Sequence, residues 1–177
     1  MRIDRVSSDS FAGARNLDVE FKDGVNVVYG RNEAGKSTLV NLISRTLFQN
    51  ARIDGRSDKG FRDSFFPAQR KGSIAAGDSI DGSVTISHGE DTYKLTKEWG
   101  ADPRCKLTTP DGNITGQDSV NDRLRELMQY GEGVYNELLL SSQHNTDATL
   151  ETLMNAKDKS ATRQEIVDAV SAAFAES

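Results

Sequence analysis

A lysine beside a hydroxyl, with glycines at a fixed interval before it, is chemistry aimed at phosphate. Gly30-Arg31-Asn32-Glu33-Ala34-Gly35-Lys36-Ser37, followed by Thr38, fits the pattern G-x-x-x-x-G-K-[ST] at every fixed position. A triphosphate crowds several negative charges into a small volume. Consecutive backbone N–H groups and the positive end of a following helix answer that charge. Gly30 and Gly35 permit the tight turn and let the backbone approach without a Cβ in the way. Lys36 reaches the β- and γ-phosphates as a point charge, and the Ser37 hydroxyl is placed to ligate the Mg²⁺ that bridges them. The ligands implied are therefore ATP, or another nucleoside triphosphate, and Mg²⁺. With average residue usage the pattern arises by chance in roughly one chain in a hundred of this length or fewer, so its flanks decide its meaning.

Those flanks are a strand and a helix. Val25-Asn26-Val27-Val28-Tyr29 is a β-branched run that reads as a buried strand, and Leu39, Leu42, Ile43 and Leu47 recur at helical spacing between Lys36 and about Phe48. Upstream, Met1 to Val6 reads as a strand, Ser7 to Arg15 as a polar turn around Phe11, and Leu17 to Phe21 alternates as a second, half-buried strand. Residues 1–50 thus hold the early strands, the phosphate loop and the first helix.

Residues 51–78 show no sustained periodicity and read as an irregular loop. Arg52, Arg56, Lys59, Arg62, Arg70 and Lys71 are interleaved there with Phe61, Phe65 and Phe66. Two readings stand: a solvated loop whose phenylalanines pin it to the body, or a contact for DNA phosphates. Residues 79–116 read as an antiparallel β-meander, with turns at His88-Gly89-Glu90-Asp91 and Pro110-Asp111-Gly112 and with Leu107 and Ile114 flanking the second. Residues 117–177 are mostly helical: a helix from about Ser119 to Tyr130, then the apolar run Val134 to Leu140 leading into Gln143. A capped helix opens at Thr162-Arg163-Gln164-Glu165. The expected architecture is a single α/β domain over 1–177, a mixed central sheet around the phosphate-loop strand with the meander beside it.

Composition narrows the setting. The chain has 177 residues, 36% of them apolar and 28% charged, and a net charge of −5, which argues against a generally basic nucleic-acid binder. A single cysteine, Cys105, excludes an internal disulfide. The amino terminus lacks the apolar core of a signal peptide, and no run reaches the roughly 18 apolar residues of a membrane span. A cytoplasmic protein with no membrane partner is the expectation. Two histidines, His88 and His144, cannot assemble a metal cluster.

A complete phosphate-loop ATPase also needs an acid at the end of an apolar strand to hold Mg²⁺. No run of four apolar residues in this sequence is followed by aspartate, and Leu138-Leu139-Leu140 leads into Ser141. The segments Met1 to Val6, Phe11, Val19 to Phe21 and Gly24 to Leu39 resemble the amino-terminal ATPase lobe of SMC and SbcC-type proteins, ABC-class heads of DNA repair and chromosome maintenance. The Asn-Glu-Ala-Gly-Lys-Ser-Thr wording is nearest the YhaN-like branch, and Leu138 to Gln143 resembles the strand entering that family's Q-loop. Ala12-Gly13-Ala14 before Arg15 departs from the arginine that many members carry sooner after the aromatic.

That resemblance implies a split, P-loop NTPase site. Lys36, Ser37, Asn32 and the loop backbone, Gly30 to Thr38, would hold the phosphates, and Gln143 would join the Mg²⁺ and attacking-water network. A C-terminal lobe carrying the signature and Walker B motifs, and a head-to-head homodimer, would complete it. On residue type alone, Gln143 is an ordinary surface glutamine after an apolar strand. The helix from Thr162 either begins a coiled coil or simply packs. The leading expectation is an ATP-binding half-site, an ATPase when complete and inactive or very weak alone. The alternatives are a small phosphotransferase of the kinase type and a nucleotide-controlled, non-catalytic interaction module.

Overall fold

The computed structural model describes residues 1–31, 34–53, 58–66 and 79–128. The chain forms two compact units, Met1–Leu127 and Met128–Ser177, and the described residues other than Met128 lie in the first.

Alternation of apolar and polar residues builds its sheet. Strands β1 (Arg2–Phe11), β2 (Ala14–Glu20), β3 (Ser79–His88), β4 (Asp91–Gly100), β5 (Arg104–Thr109) and β6 (Gly112–Thr115) pair in the order β2-β1-β3-β4-β5-β6. All five pairings are antiparallel. One face buries Val6 on β1, Ile80, Val84 and Ile86 on β3, Tyr93, Leu95 and Trp99 on β4 and Leu107 on β5. Each such side chain contributes about 1.5–3 kcal/mol on burial. Leu107 stands opposite Ile114 across the Pro110-Asp111-Gly112 turn, and His88 opposite Asp91 across the other.

Helix α1 (Lys36–Phe48) lies against β1, β3 and β4 and buries Leu39, Leu42, Thr46 and Leu47. It approaches β3 closely because position 82 is glycine. A Cβ there would stand 2.2 Å from Thr46 Oγ1 and 2.9 Å from Leu42 Cδ1. Its far end is held by β4: the buried Lys97 ammonium donates to the carbonyls of Gln49 (2.7 Å) and Leu47 (3.3 Å), and Trp99 Nε1 donates to that of Asn50 (2.9 Å). A cation suits the negative end of the helix, and these bonds serve carbonyls that the helix leaves without partners. Helix α3 (Gln117–Met128) buries Val120, Leu124, Leu127 and Met128, and Gln117 Oε1 accepts the Ala51 N–H at 2.7 Å.

Four expectations need correction. First, Ser7 to Arg15 is not a turn: β1 continues to Phe11, and the chain reverses at Ala12-Gly13, both at positive φ (50° and 82°). The polar stretch can be a strand because Asp81 of β3 accepts the N–H groups of Asp9 and Ser10 where the β1–β3 ladder ends.

Second, a helix, α2 (Lys59–Phe65), rises from the supposedly irregular stretch. Phe61 and Phe65 bury themselves against Phe11 and Trp99, with Phe11 and Phe65 stacked at 5.0 Å and Phe61 and Trp99 at 5.5 Å. This is the pinning role for the phenylalanines. Too few residues lie between the buried pair for a periodicity to be read.

Third, Val25–Tyr29 forms no strand and is not buried. Val25, Val27, Val28 and Tyr29 are 92%, 77%, 49% and 90% exposed. The Asn26 side chain instead closes a local loop, accepting the Lys22 N–H (2.9 Å) and donating to the Lys22 carbonyl (2.8 Å). Fourth, the sheet of the described residues is therefore wholly antiparallel with β3 and β4 at its middle, not mixed around the phosphate-loop segment. A strand exists only where neighbours take its N–H and C=O groups, and none of the described residues does so here.

Candidate nucleotide site

The site begins where α1 does. Gly35 takes the left-handed conformation (φ 85°, ψ 9°) at the helix N-cap, which only glycine adopts freely. The first intrahelical bond is Leu39 N–H to the Gly35 carbonyl at 2.9 Å. Lys36, Ser37 and Thr38 therefore have backbone N–H groups with no acceptor inside the helix, at its positive end. No acidic residue lies in the first turn to compete for them.

The loop before the helix is tightly wound. Ala34 N–H donates to the Arg31 carbonyl at 3.2 Å, and a Cβ on Gly30 would stand 3.2 Å from that of Ala34. Lys36 folds back over the loop, its ammonium donating to the carbonyls of Gly30 (2.8 Å) and Arg31 (2.7 Å). Ser37 is exposed, and Thr38 and Lys36 are half-buried. A polyphosphate would suit these groups: N–H groups with no acceptor inside the helix, a loop bounded by glycines, one cation and an outward hydroxyl of the type that ligates Mg²⁺.

The structure thus gathers Gly30, Arg31, Ala34, Gly35, Lys36, Ser37 and Thr38 at one helix end. Asn32, Glu33 and Gln143 lie outside the described residues, as do His144 and the helix expected from Thr162. Among the described residues no group of three or more His, Cys, Asp or Glu side chains could hold a metal ion. No helix among them is long and apolar enough to cross a membrane.

Sequence reasoning missed the support beneath the site. Lys97 clamps the far end of the helix whose near end carries Lys36, Ser37 and Thr38. A signal was there: in Tyr93, Leu95, Lys97 and Trp99, the lysine occupies a buried-face position of a strand read at period two.

A family model described as an AAA domain matches residues 6–174. A DNA double-strand break repair Rad50 ATPase of Sulfurisphaera tokodaii is 24% identical over 161 residues, covering 90% of this chain and 18% of the relative. One of Methanosarcina acetivorans is 26% identical over 169 residues, covering 95% of this chain and 15% of the relative. One of Thermoplasma acidophilum is 30% identical over 97 residues, or 55% of this chain and 9% of the relative. The chain thus spans less than a fifth of the length of the relatives it matches. With the phosphate loop, these likenesses place it: the chain belongs to the AAA-domain family and resembles the amino-terminal ATPase lobe of SMC/Rad50-type DNA-repair ATPases.

Proposed function

We propose that the chain is the ATP-binding amino-terminal half of a split ABC-type ATPase that works in DNA repair in the cytoplasm. The observation that carries this reading is the cradle at Gly30 to Thr38: a left-handed Gly35, three helix N–H groups without internal acceptors, and Lys36 bent over them. Bound Mg²⁺ would neutralise charge on the β- and γ-phosphates. Lys36 would exchange its two carbonyl acceptors for phosphate oxygens, Ser37 would offer its hydroxyl to the metal, and the backbone from Gly30 to Thr38 would fix the polyphosphate. Asn32 would contact the phosphates, and Gln143 would orient the attacking water and reach the metal.

Hydrolysis on this reading needs a second lobe with signature and Walker B motifs and a head-to-head pairing of two such heads. The exposed run Val25–Tyr29 supports the first requirement. Four large apolar side chains of strand-forming type stand in solvent directly before the phosphate loop. They have the composition of a strand that a further lobe would pair and cover.

Titration with a fluorescent ATP analogue in Mg²⁺ tests the binding half. Saturable binding is expected, weakened about tenfold or more by Lys36→Ala, because hydrogen bonds to charged groups are worth about 1.5–3 kcal/mol. Steady-state hydrolysis by the isolated chain should be negligible. Appreciable turnover that Lys36→Ala abolishes would overturn the half-site reading, and absence of nucleotide binding would overturn the proposal as a whole.

A further inference from the structure

The chain leaves α1 through a socket made of side chains. Lys97 Nζ donates to the carbonyls of Leu47 (3.3 Å) and Gln49 (2.7 Å), and Trp99 Nε1 donates to that of Asn50 (2.9 Å). The next N–H, that of Ala51, donates to Gln117 Oε1 at 2.7 Å. Residues of β4 and α3 thus grip successive backbone groups at the helix exit, and both Lys97 and Trp99 are fully buried there. At the other end Gly35 is left-handed, and the N–H groups of Lys36, Ser37 and Thr38 have no acceptor inside the helix.

The two kinds of contact along α1 constrain it differently. Leu39, Leu42 and Leu47 bury apolar surface. That attraction is non-directional and follows area, so it resists lifting the helix far more than sliding it. Hydrogen bonds weaken steeply outside a narrow range of distance and angle, so a slide that hardly changes buried area breaks them. Gly82 sets how near α1 comes to β3, and Lys97 sets where it stops along its own axis. A helix moves along its axis as a rod, and Lys36 lies eleven residues before Leu47, about 17 Å away at the usual rise. At that distance Lys97 touches nothing bound at the helix start and acts there only through α1.

We propose that Lys97 is a positioning residue for nucleotide binding. By holding the carbonyls at the end of α1 it fixes the axial position of the helix, and with it the N–H groups of Lys36, Ser37 and Thr38; this rests on the reading of Gly30 to Thr38 as a nucleotide site. The role belongs to the ammonium and its two hydrogen bonds, not to the space the side chain fills.

Lys97→Met tests it, since methionine fills much of the same space without charge or donors. Measured well below the thermal midpoint, where the chain is folded, the variant should bind a fluorescent ATP analogue in Mg²⁺ about threefold or more weakly. The backbone amide signals of Lys36, Ser37 and Thr38 should also move in its ligand-free NMR spectrum. A purely structural role would lower the midpoint and change neither reading. Leu107→Ala, a cavity in the core on β5, supplies that comparison: it should lower the midpoint and leave affinity and the three signals in place. Equal weakening of binding by Leu107→Ala would overturn the proposal. So would Lys97→Met with unchanged affinity and unmoved signals, and that result would leave the nucleotide site itself standing. Absence of binding by the unsubstituted chain would instead sink the nucleotide reading, and the amide signals would then decide alone whether Lys97 sets the start of α1. Should Lys97→Met fail to fold, Trp99→Phe, which keeps a ring and removes the bond to Asn50, is read in the same two ways. Displaced signals with weaker binding support the socket, and unmoved signals with unchanged binding overturn it.

Discussion

Lys36 makes two hydrogen bonds to carbonyls of its own loop, at 2.8 and 2.7 Å, and a nucleotide must outcompete both. On the proposed function a phosphate would do so, because it meets the ammonium with full negative charge where a carbonyl offers only a dipole. The same balance of a charged group against its local partners sets the acid response of the β1 bulge. Asp4 lies where the β1–β3 register slips between Ile3 and Arg5. The Ser87 hydroxyl donates to Asp4 Oδ2 and holds the carboxyl below the usual carboxylate range; partial burial opposes this, and Arg2 Nε at 2.6 Å reinforces it. A folded pKa below the unfolded value means that the contribution to stability is fully present above about pH 4 and disappears as pH falls through the folded value. Ser87→Ala should therefore raise the Asp4 pKa, read from the carboxyl carbon shift in an NMR titration, and shrink the stability lost as pH falls below about 4. An unchanged Asp4 titration would show that the hydroxyl is not what holds it down.

Between elements, the decisive contact is α1 against β3 at Gly82. An added methyl would stand 2.2 Å from Thr46 Oγ1, 2.9 Å from Leu42 Cδ1 and 3.3 Å from the Trp99 ring, with sheet backbone beneath it. Gly82→Ala should cost about 1–3 kcal/mol, the range for overpacking, read as a lower urea midpoint with little change in slope. Thr46→Ala should restore part of the loss, because Thr46 Oγ1 has no hydrogen-bond partner whose loss would offset the space gained. A midpoint that Gly82→Ala leaves unmoved would mean that α1 does not approach β3 this closely. The elements on either side of this contact were legible to different degrees. The period-two runs of β3 and β4 and the helical spacing from Lys36 to Phe48 report burial directly, so their bounds could be read from residue order. Gly82, by contrast, looked like any strand glycine, since its purpose is set by a helix thirty-odd residues earlier. Likewise the continuation of β1 through Ser7 to Phe11 depends on Asp81, more than seventy residues away, which takes its N–H groups.

For the molecule as a whole, the phosphate loop was legible because its chemistry is local, whereas the strand leading into it was not, because a strand depends on its neighbours. Val25–Tyr29 has the residues of a buried strand and, among the described residues, no sheet to join. The chain spans 15–18% of the length of two Rad50 ATPases that match nearly all of it, and the proposed function gives it a further lobe as partner. If that lobe supplies the missing neighbours, Val27, 77% exposed here, becomes buried only on association. Val27→Asp should then shift the stability of this chain alone by no more than about 0.5 kcal/mol, as for an ordinary surface change. ATP-dependent association with a separately produced carboxy-terminal ATPase lobe, followed by analytical ultracentrifugation, should be lost, since a carboxylate would have to enter an apolar sheet unpaired. ATPase activity of the mixture should fall with it. A large drop in the stability of the isolated Val27→Asp chain would show that the segment is already packed within it. Undiminished association would show that the second lobe docks elsewhere, leaving the exposed valines without the role assigned to them.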